Sequence, residues 1–412
     1  MEFNRNGFNR FAFNRARVTL PNALYIPKPS LPAFEKYPLR VFNENFVLLA
    51  EIDNYESLSW TRRWRSAGEF TLRVSRYAEG ADQLDEGHWI SIYRGGITRM
   101  GCISSMEITT DPESSSSEIW EVKGLDAKGL LQQRIAYHLV GAGTGYDTQT
   151  TVTAEAACRH YIDTNIISAV NADRRIAELQ LATNGGRGGT VSYSARLENL
   201  HEAIENILLA SPDALGYDIL FDPDTTMFTV TFALGNDLHA TVQFNTGLGN
   251  VGIFHYVYDI ANLKNLAYVG DSGLLAARVF TEVPVADPPS GWNRKEAFVD
   301  GSDTTTAAEL IQKGTAALAE LDISELAEFT VVPDNSFTYM TRDAAGDFDI
   351  GDIITAVYDV VALVESRIIE VVENYGGSTL LESITLKIGS KKPDLIRFLR
   401  IAGKQNSIPR RK

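Results

Sequence analysis

Residues 57–75 alternate with a period of two, interrupted once by small turn residues, and an antiparallel β-hairpin is the structure that satisfies this pattern. Leu58, Trp60, Arg62 and Trp64 share one parity and Ser57, Ser59, Thr61 and Arg63 the other, so large side chains stand on one face of a strand. Ser66, Ala67 and Gly68 turn the chain, and Phe70, Leu72 and Val74 then alternate with Thr71, Arg73 and Ser75, which makes a second strand able to pair with the first. Arg62 alone breaks the apolar face. Its expected state is a stem laid along apolar surface with a snorkelling or carboxylate-paired head.

Similar alternation recurs along much of the chain. β runs are expected at 39–50, 55–65, 69–76, 88–93, 97–109 and 118–124, closed by a short helix at 125–133. Residues 151–215 read as helical, with Leu197, Leu200, Ile204, Ile207 and Leu208 on one face. Strands resume at 217–221, 227–234, 240–245, 254–259, 264–270 and 275–285. A helix over 306–321 is signed by Thr306 and Glu309 in capping-box spacing. The last β block covers 327–332, 352–358, 363–375 and 379–388. With 412 residues, more than one ordinary core is expected. The resulting division is an arm and Pro-rich linker at 1–38, a first β-barrel-like domain at 39–140, an α/β insertion at 141–250, a second β-barrel-like domain at 251–390, and a basic tail at 391–412.

The arm has its own pattern. Phe-Asn-Arg occurs at Phe3, Asn4 and Arg5, again at Phe8, Asn9 and Arg10, and again at Phe13, Asn14 and Arg15. A period of five fits neither helix nor strand, and these few units are too short to bury a core alone. These residues are therefore candidates for binding a partner chain. The net charge is −15, and because both termini are basic, the acidic excess lies in the body. An acidic body disfavours adhesion to DNA. If that body lines a channel, carboxylates are expected to face inward in excess.

Several local motifs suggest chemistry that their context denies. Gly270-Asp271-Ser272-Gly273 copies the string around a serine-protease nucleophile, but no histidine lies in a matching context, and a strand-to-strand turn is expected. Gly247, Gly249 and Gly252 fit G-x-G-x-x-G, yet the aromatic and β-branched residues that follow predict a strand, and without a helix there is no dipole for a pyrophosphate. Gly185, Gly186, Gly188 and Gly189 lack the Lys-Ser or Lys-Thr ending of a phosphate loop. Asp347, Asp349 and Asp352 lack the spacing of a calcium loop, and the six histidines have no paired spacing. Cys102 and Cys158 lie too far apart for a disulfide framework or a cysteine zinc site. No catalytic residue, metal or cofactor is expected. No apolar run approaches the roughly 18 residues of a spanning helix, and the polar start lacks the apolar core of a signal peptide. A chain that stays soluble in the cytoplasm where it is made is expected.

The hairpin also belongs to a longer signature. LRVFNENFVLLAEID before it, VKGLDAKGLLQQR at 122–134, LKNLAYVGDSG at 263–273, WNRKEAFVD at 292–300, and FDIGDIITA with ESRIIEVVENY within 348–375 together resemble the siphovirus Gp37-like tail protein family, a relative of the trimeric baseplate hub proteins. The resemblance runs colinearly over about residues 39–390. It implies a β-rich α+β fold, with two β-barrel-like domains and α/β insertions, in a structural component of a virion tail. It further implies a homotrimer whose paired β domains make a pseudo-sixfold ring, with tail-tube proteins above, tip or fibre proteins below, and DNA in transit through the channel without specific binding. The rival expectation is an adhesin or hydrolase acting on the host envelope.

Overall fold

The computed structural model describes residues 37–110, 118–137, 145–211, 215–273, 277–285, 290–302, 306–322, 324–332, 337–340, 345–358, 362–376 and 382–389. The candidate Phe-Asn-Arg arm and the basic tail lie outside them. The fold is β-rich α+β. Its first strands are β1 (Leu39–Phe42), β2 (Leu48–Ile52), β3 (Ser57–Arg63), β4 (Glu69–Ser75), β5 (Trp89–Arg94), β6 (Ile97–Thr110) and β7 (Glu118–Asp126). The expected hairpin is β3 and β4, with Trp60 opposite Phe70 and the rings stacked at 5.5 Å. Leu58, Trp60, Phe70, Leu72 and Val74 are buried together, each such side chain contributing about 1.5–3 kcal/mol of transfer free energy. The run at 39–50 divides into two strands joined by a turn, in which Asn43 Oδ1 accepts from the Asn45 and Val47 amides and Phe46 adopts φ 58°, its ring packing on Trp89 and Phe228.

The elements that follow are α1 (Gly129–Gln132), β8 (Asp147–Thr153), α2 (Ala154–Ile162), β9 (Leu179–Leu181), β10 (Thr190–Ala195), α3 (Leu200–Ala210), β11 (Gly216–Asp222), β12 (Met227–Ala233) and β13 (Gln243–Asn245). Residues 151–215 are thus mixed rather than helical, since β9 joins β12 and β10 pairs with β8. Leu197 does not lie on the helix. Asn199 caps α3 by accepting from the His201 and Glu202 amides, which leaves Leu197 before the helix, at φ 53° and exposed. Leu200, Ile204, Ile207 and Leu208 face the core as their spacing predicts, against Tyr161 of α2 and Phe228 of β12.

The remaining elements are β14 (Val251–Asp259), β15 (Leu266–Gly270), β16 (Phe280–Pro284), β17 (Glu296–Asp300), α4 (Ala307–Glu320), β18 (Ser324–Val331), β19 (Ile353–Tyr358), β20 (Ala362–Gly376) and β21 (Glu382–Gly389). Strands β15, β16 and β17 form a small separate sheet. α4 covers it through Leu310 and Leu318.

A single motif occurs twice in this chain. Strand neighbours run β3-β4-β7-β6-β5 in the first half and β14-β18-β21-β20-β19 in the second, antiparallel at every step. The registers match in detail. Each long strand pairs its front half with the preceding strand, Ile97–Cys102 of β6 with β5 and Ala362–Arg367 of β20 with β19. Each then bulges once, between Ile103 and Ser105 or between Ile368 and Glu370, and pairs its back half with the following strand. A bulge bends the strand and sharpens its twist, so one strand serves two directions of the sheet. The two copies join where β3 pairs with the back half of β20, Arg63 opposite Glu370 through Ser57 opposite Gly376.

Candidate functional site

At this junction the apolar face of the sheet contains charge. Arg62 comes from β3, Arg94 from the end of β5 and Arg99 from β6, all in the first copy of the motif, while Glu373 and Tyr375 come from β20 in the second. Glu373 is fully buried and receives both Nη atoms of Arg99, at 2.7 and 2.9 Å. Tyr339 and Tyr375 donate their hydroxyls to the same carboxylate at 2.9 and 2.6 Å. Arg62 donates to the Tyr339 hydroxyl at 2.8 Å and to Asp349 at 2.7 Å, with Asp218 of β11 3.3 Å from its second nitrogen. Arg94 donates to the Met340 carbonyl and to Tyr375, its guanidinium lying over the Tyr339 ring at 5.0 Å. The Arg62 of the sequence pattern is therefore carboxylate-paired in the interior, and it does not reach solvent.

The electrostatics follow from this geometry. Burial works to raise the Glu373 carboxyl, but Arg99, Arg94 and Arg62 outweigh it and hold the group far below the usual carboxylate range. Burial likewise works against the charge on Arg62, and Asp349, Tyr339 and Asp218 more than restore it. Nearby, burial pushes the Asp126 carboxyl up to about 6 despite Lys128, with Asp218 adding to the rise. Trp64 closes the junction. A Cβ on Gly216 or on Gly351, which holds φ +90°, would stand 2.2 Å from its ring atoms, so both positions require glycine.

The opposite face of the shared sheet is polar and charge-paired across strands. Lys387 contacts Glu370 at 2.5 Å and Glu328 at 3.9 Å, Glu370 contacts Arg63 at 2.8 Å, and Arg63 continues to Glu69 at 2.5 Å. Farther along, Arg73 and Lys123 share Glu121, at 3.8 and 2.6 Å. Glu107 also contacts Lys123 at 3.9 Å and Glu56 lies 4.0 Å from Arg73, so each of these cations has two carboxylate partners.

The glycine-rich and acidic motifs singled out in the sequence have structural work. Asp271 accepts from the Gly273 and Val279 amides and so shapes the turn after β15 that contains Ser272. Gly247 and Gly249 lie in a turn that leads into β14, a strand as expected. The buried Glu155 accepts from the Gly185 and Arg187 amides, so the glycine-rich loop wraps a carboxylate of its own chain. Asp347 accepts from the Thr338 amide, Asp349 binds Arg62, and Asp352 accepts from the Asn236 and Asp349 amides, so these acids point to separate partners. Among the described residues, no group of three or more His, Cys, Asp and Glu side chains could hold a metal ion, and no helix is long and apolar enough to cross a membrane. The sequence reading missed Glu373. The signal was present, because Val371, Glu373 and Tyr375 share the buried parity of β20, which places a carboxylate on an apolar face just as Arg62 places a cation on one.

Comparisons with known proteins agree on the fold. The crystal structure of the 43 kDa tail protein of prophage MuSo2 from Shewanella oneidensis is similar with a TM-score of 0.56 at 12% identity, over 86% of this chain and 98% of that one. A tail protein from Neisseria meningitidis MC58 is similar with a TM-score of 0.51 at 12% identity, over 87% of this chain and 97% of that one. No curated protein matches in sequence. The family described as Siphovirus ReqiPepy6 Gp37-like protein matches residues 38–390, which include both copies of the β motif and the junction between them. The chain belongs to this Gp37-like family, and its fold is that of phage tail proteins.

Proposed function

We propose that this protein is a structural hub of a phage tail tip or baseplate, with no catalytic role. Three copies would form a ring that joins the tail tube above to tip or fibre proteins below. The observation that carries this reading is the doubled β motif, since three chains with two similar units each present six units to a sixfold tube while keeping threefold symmetry for a fibre. The division into 39–140, 141–250 and 251–390 expresses the same layout. In such a ring the polar face of the shared sheet lines the channel. Each cation there is flanked by two carboxylates, so the face offers DNA phosphates no uncompensated cation and a net excess of carboxylates, which supports transit without adhesion. Light scattering on the purified chain and class averages of the assembled tail test the reading, with three chains and threefold symmetry expected. A ring of two or six copies of this chain overturns it.

A further inference from the structure

The doubled motif leaves two strand edges with one neighbour each among the described residues. β14 pairs only with β18, and the back half of β6 pairs only with β7. Their counterparts in the other copy of the motif are β3 and the back half of β20, and those two pair with each other inside the chain. The junction is thus made once within the chain, and both halves of a second one are on its surface.

The matching registers place Tyr258 at the position of Arg62, Val257 at that of Thr61, Glu107 at that of Val372 and Ile108 at that of Glu373. Exposure at these equivalent positions differs as an unmade junction requires. Arg62 and Glu373 are 6% and 0% exposed, whereas Tyr258 and Ile108 are 56% and 58% exposed, and Ile253, at the start of the β14 edge, is 80% exposed. An apolar edge strand left open invites pairing with another chain.

We infer that β14 of one copy pairs antiparallel with residues 105–110 of β6 in the next copy, with Tyr258 opposite Met106, Val257 opposite Glu107 and Tyr256 opposite Ile108. The occupant is a second copy of this chain, because the interior junction shows that the two strand types fit. Each copy has one edge of each kind, so the contact is head-to-tail and closes when the rotation allows. The within-chain junction encloses ions, whereas this one brings Tyr256 and Tyr258 to Met106 and Ile108. No buried charge has to be matched when copies meet. The number of copies in the ring rests on the proposed hub role, whereas the pairing rests on the strand edges alone.

A cysteine pair tests the register. The Trp64 amide donates to the Ile369 carbonyl at 3.0 Å, and strand alternation then makes Thr61 and Val372 a non-hydrogen-bonded pair. Val257 and Glu107 inherit that geometry, with Cα atoms about 4.5 Å apart, within the disulfide range of about 4.4–6.8 Å. In the full-length chain, and in tails assembled with it, oxidation of the double variant Val257→Cys with Glu107→Cys should give interchain species that close at three chains. Neither single variant, nor Val257→Cys with Ser105→Cys, should do so. A ring seen by mass that fails to cross-link, or that cross-links only through the shifted pair, overturns the strand pairing and leaves the hub role standing. Cross-links that close at another number support the pairing and overturn the ring of three. A chain that stays single in assembled tails overturns both. Ile108→Asp should weaken association at least tenfold with an unchanged circular dichroism spectrum, and unaltered association of that variant counts against the interface.

Discussion

Glu373 shows how a single carboxylate can hold two halves of a molecule together. Its partners Arg94 and Arg99 belong to one copy of the β motif while it belongs to the other, so Glu373→Gln removes the anion and leaves the arginines buried without compensation. The expected loss is about 3–5 kcal/mol, read from urea unfolding at pH 7, because breaking a buried pair costs more than the pair contributes. The folded-state pKa of Glu373 is depressed, so its contribution is present above the unfolded carboxyl value near 4.3 and is lost only in strong acid. Asp126 has the opposite sign. With its carboxyl raised to about 6, the fold favours the protonated form. Its contribution is complete below the unfolded value near 3.9 and is lost as pH rises through 6. Asp126→Asn should therefore stabilise the protein by about 1–3 kcal/mol at pH 8 and match the wild type at pH 4. Equal stability at both pH values would show that Asp126 is charged in the fold.

At the scale of elements, legibility followed the locality of the signal. The β3–β4 hairpin needed only its own alternation and turn, and the structure reproduces both. The start of α4 was equally readable. Thr306 accepts from the Glu309 amide at 3.3 Å while Glu309 accepts from the Thr306 amide at 2.9 Å. Glu309 also receives the Ser194 hydroxyl at 3.0 Å, a link that no sequence spacing reveals. Thr306→Ala should cost about 1 kcal/mol in urea unfolding, and a neutral result would mean that contacts of Glu309 outside the box hold the helix end. Strands β8, β9 and β10 escaped the sequence reading because they are short or polar and owe their form to a partner strand distant in sequence. Leu197 was misplaced by a periodicity that extended past the Asn199 cap. For the junction, Arg62 was legible as an anomaly. The identity of its partners was not, because Asp218, Tyr339 and Asp349 reach it from elements far along the chain.

The whole molecule is organised around surfaces, and the arm belongs to that scale. Phe3, Phe8 and Phe13 each offer about 1.5–3 kcal/mol if buried on a partner, and Arg5, Arg10 and Arg15 suit the acidic body of a neighbouring chain. Deleting residues 2–17 should leave urea unfolding of the body unchanged while reducing tail assembly, measured as particle yield. Wild-type yield from the truncated chain would show that the arm has no part in assembly. The junction between β3 and β20 has a further consequence, in the order of events during synthesis. Arg94 and Arg99 leave the ribosome long before Glu373, the carboxylate that they meet in the finished fold. Contacts so distant in sequence are slow to close, and partly folded chains with open strand edges are prone to aggregate. The first half of this protein is therefore a poor folding unit on its own, and the nascent chain depends on its last strands for a native core.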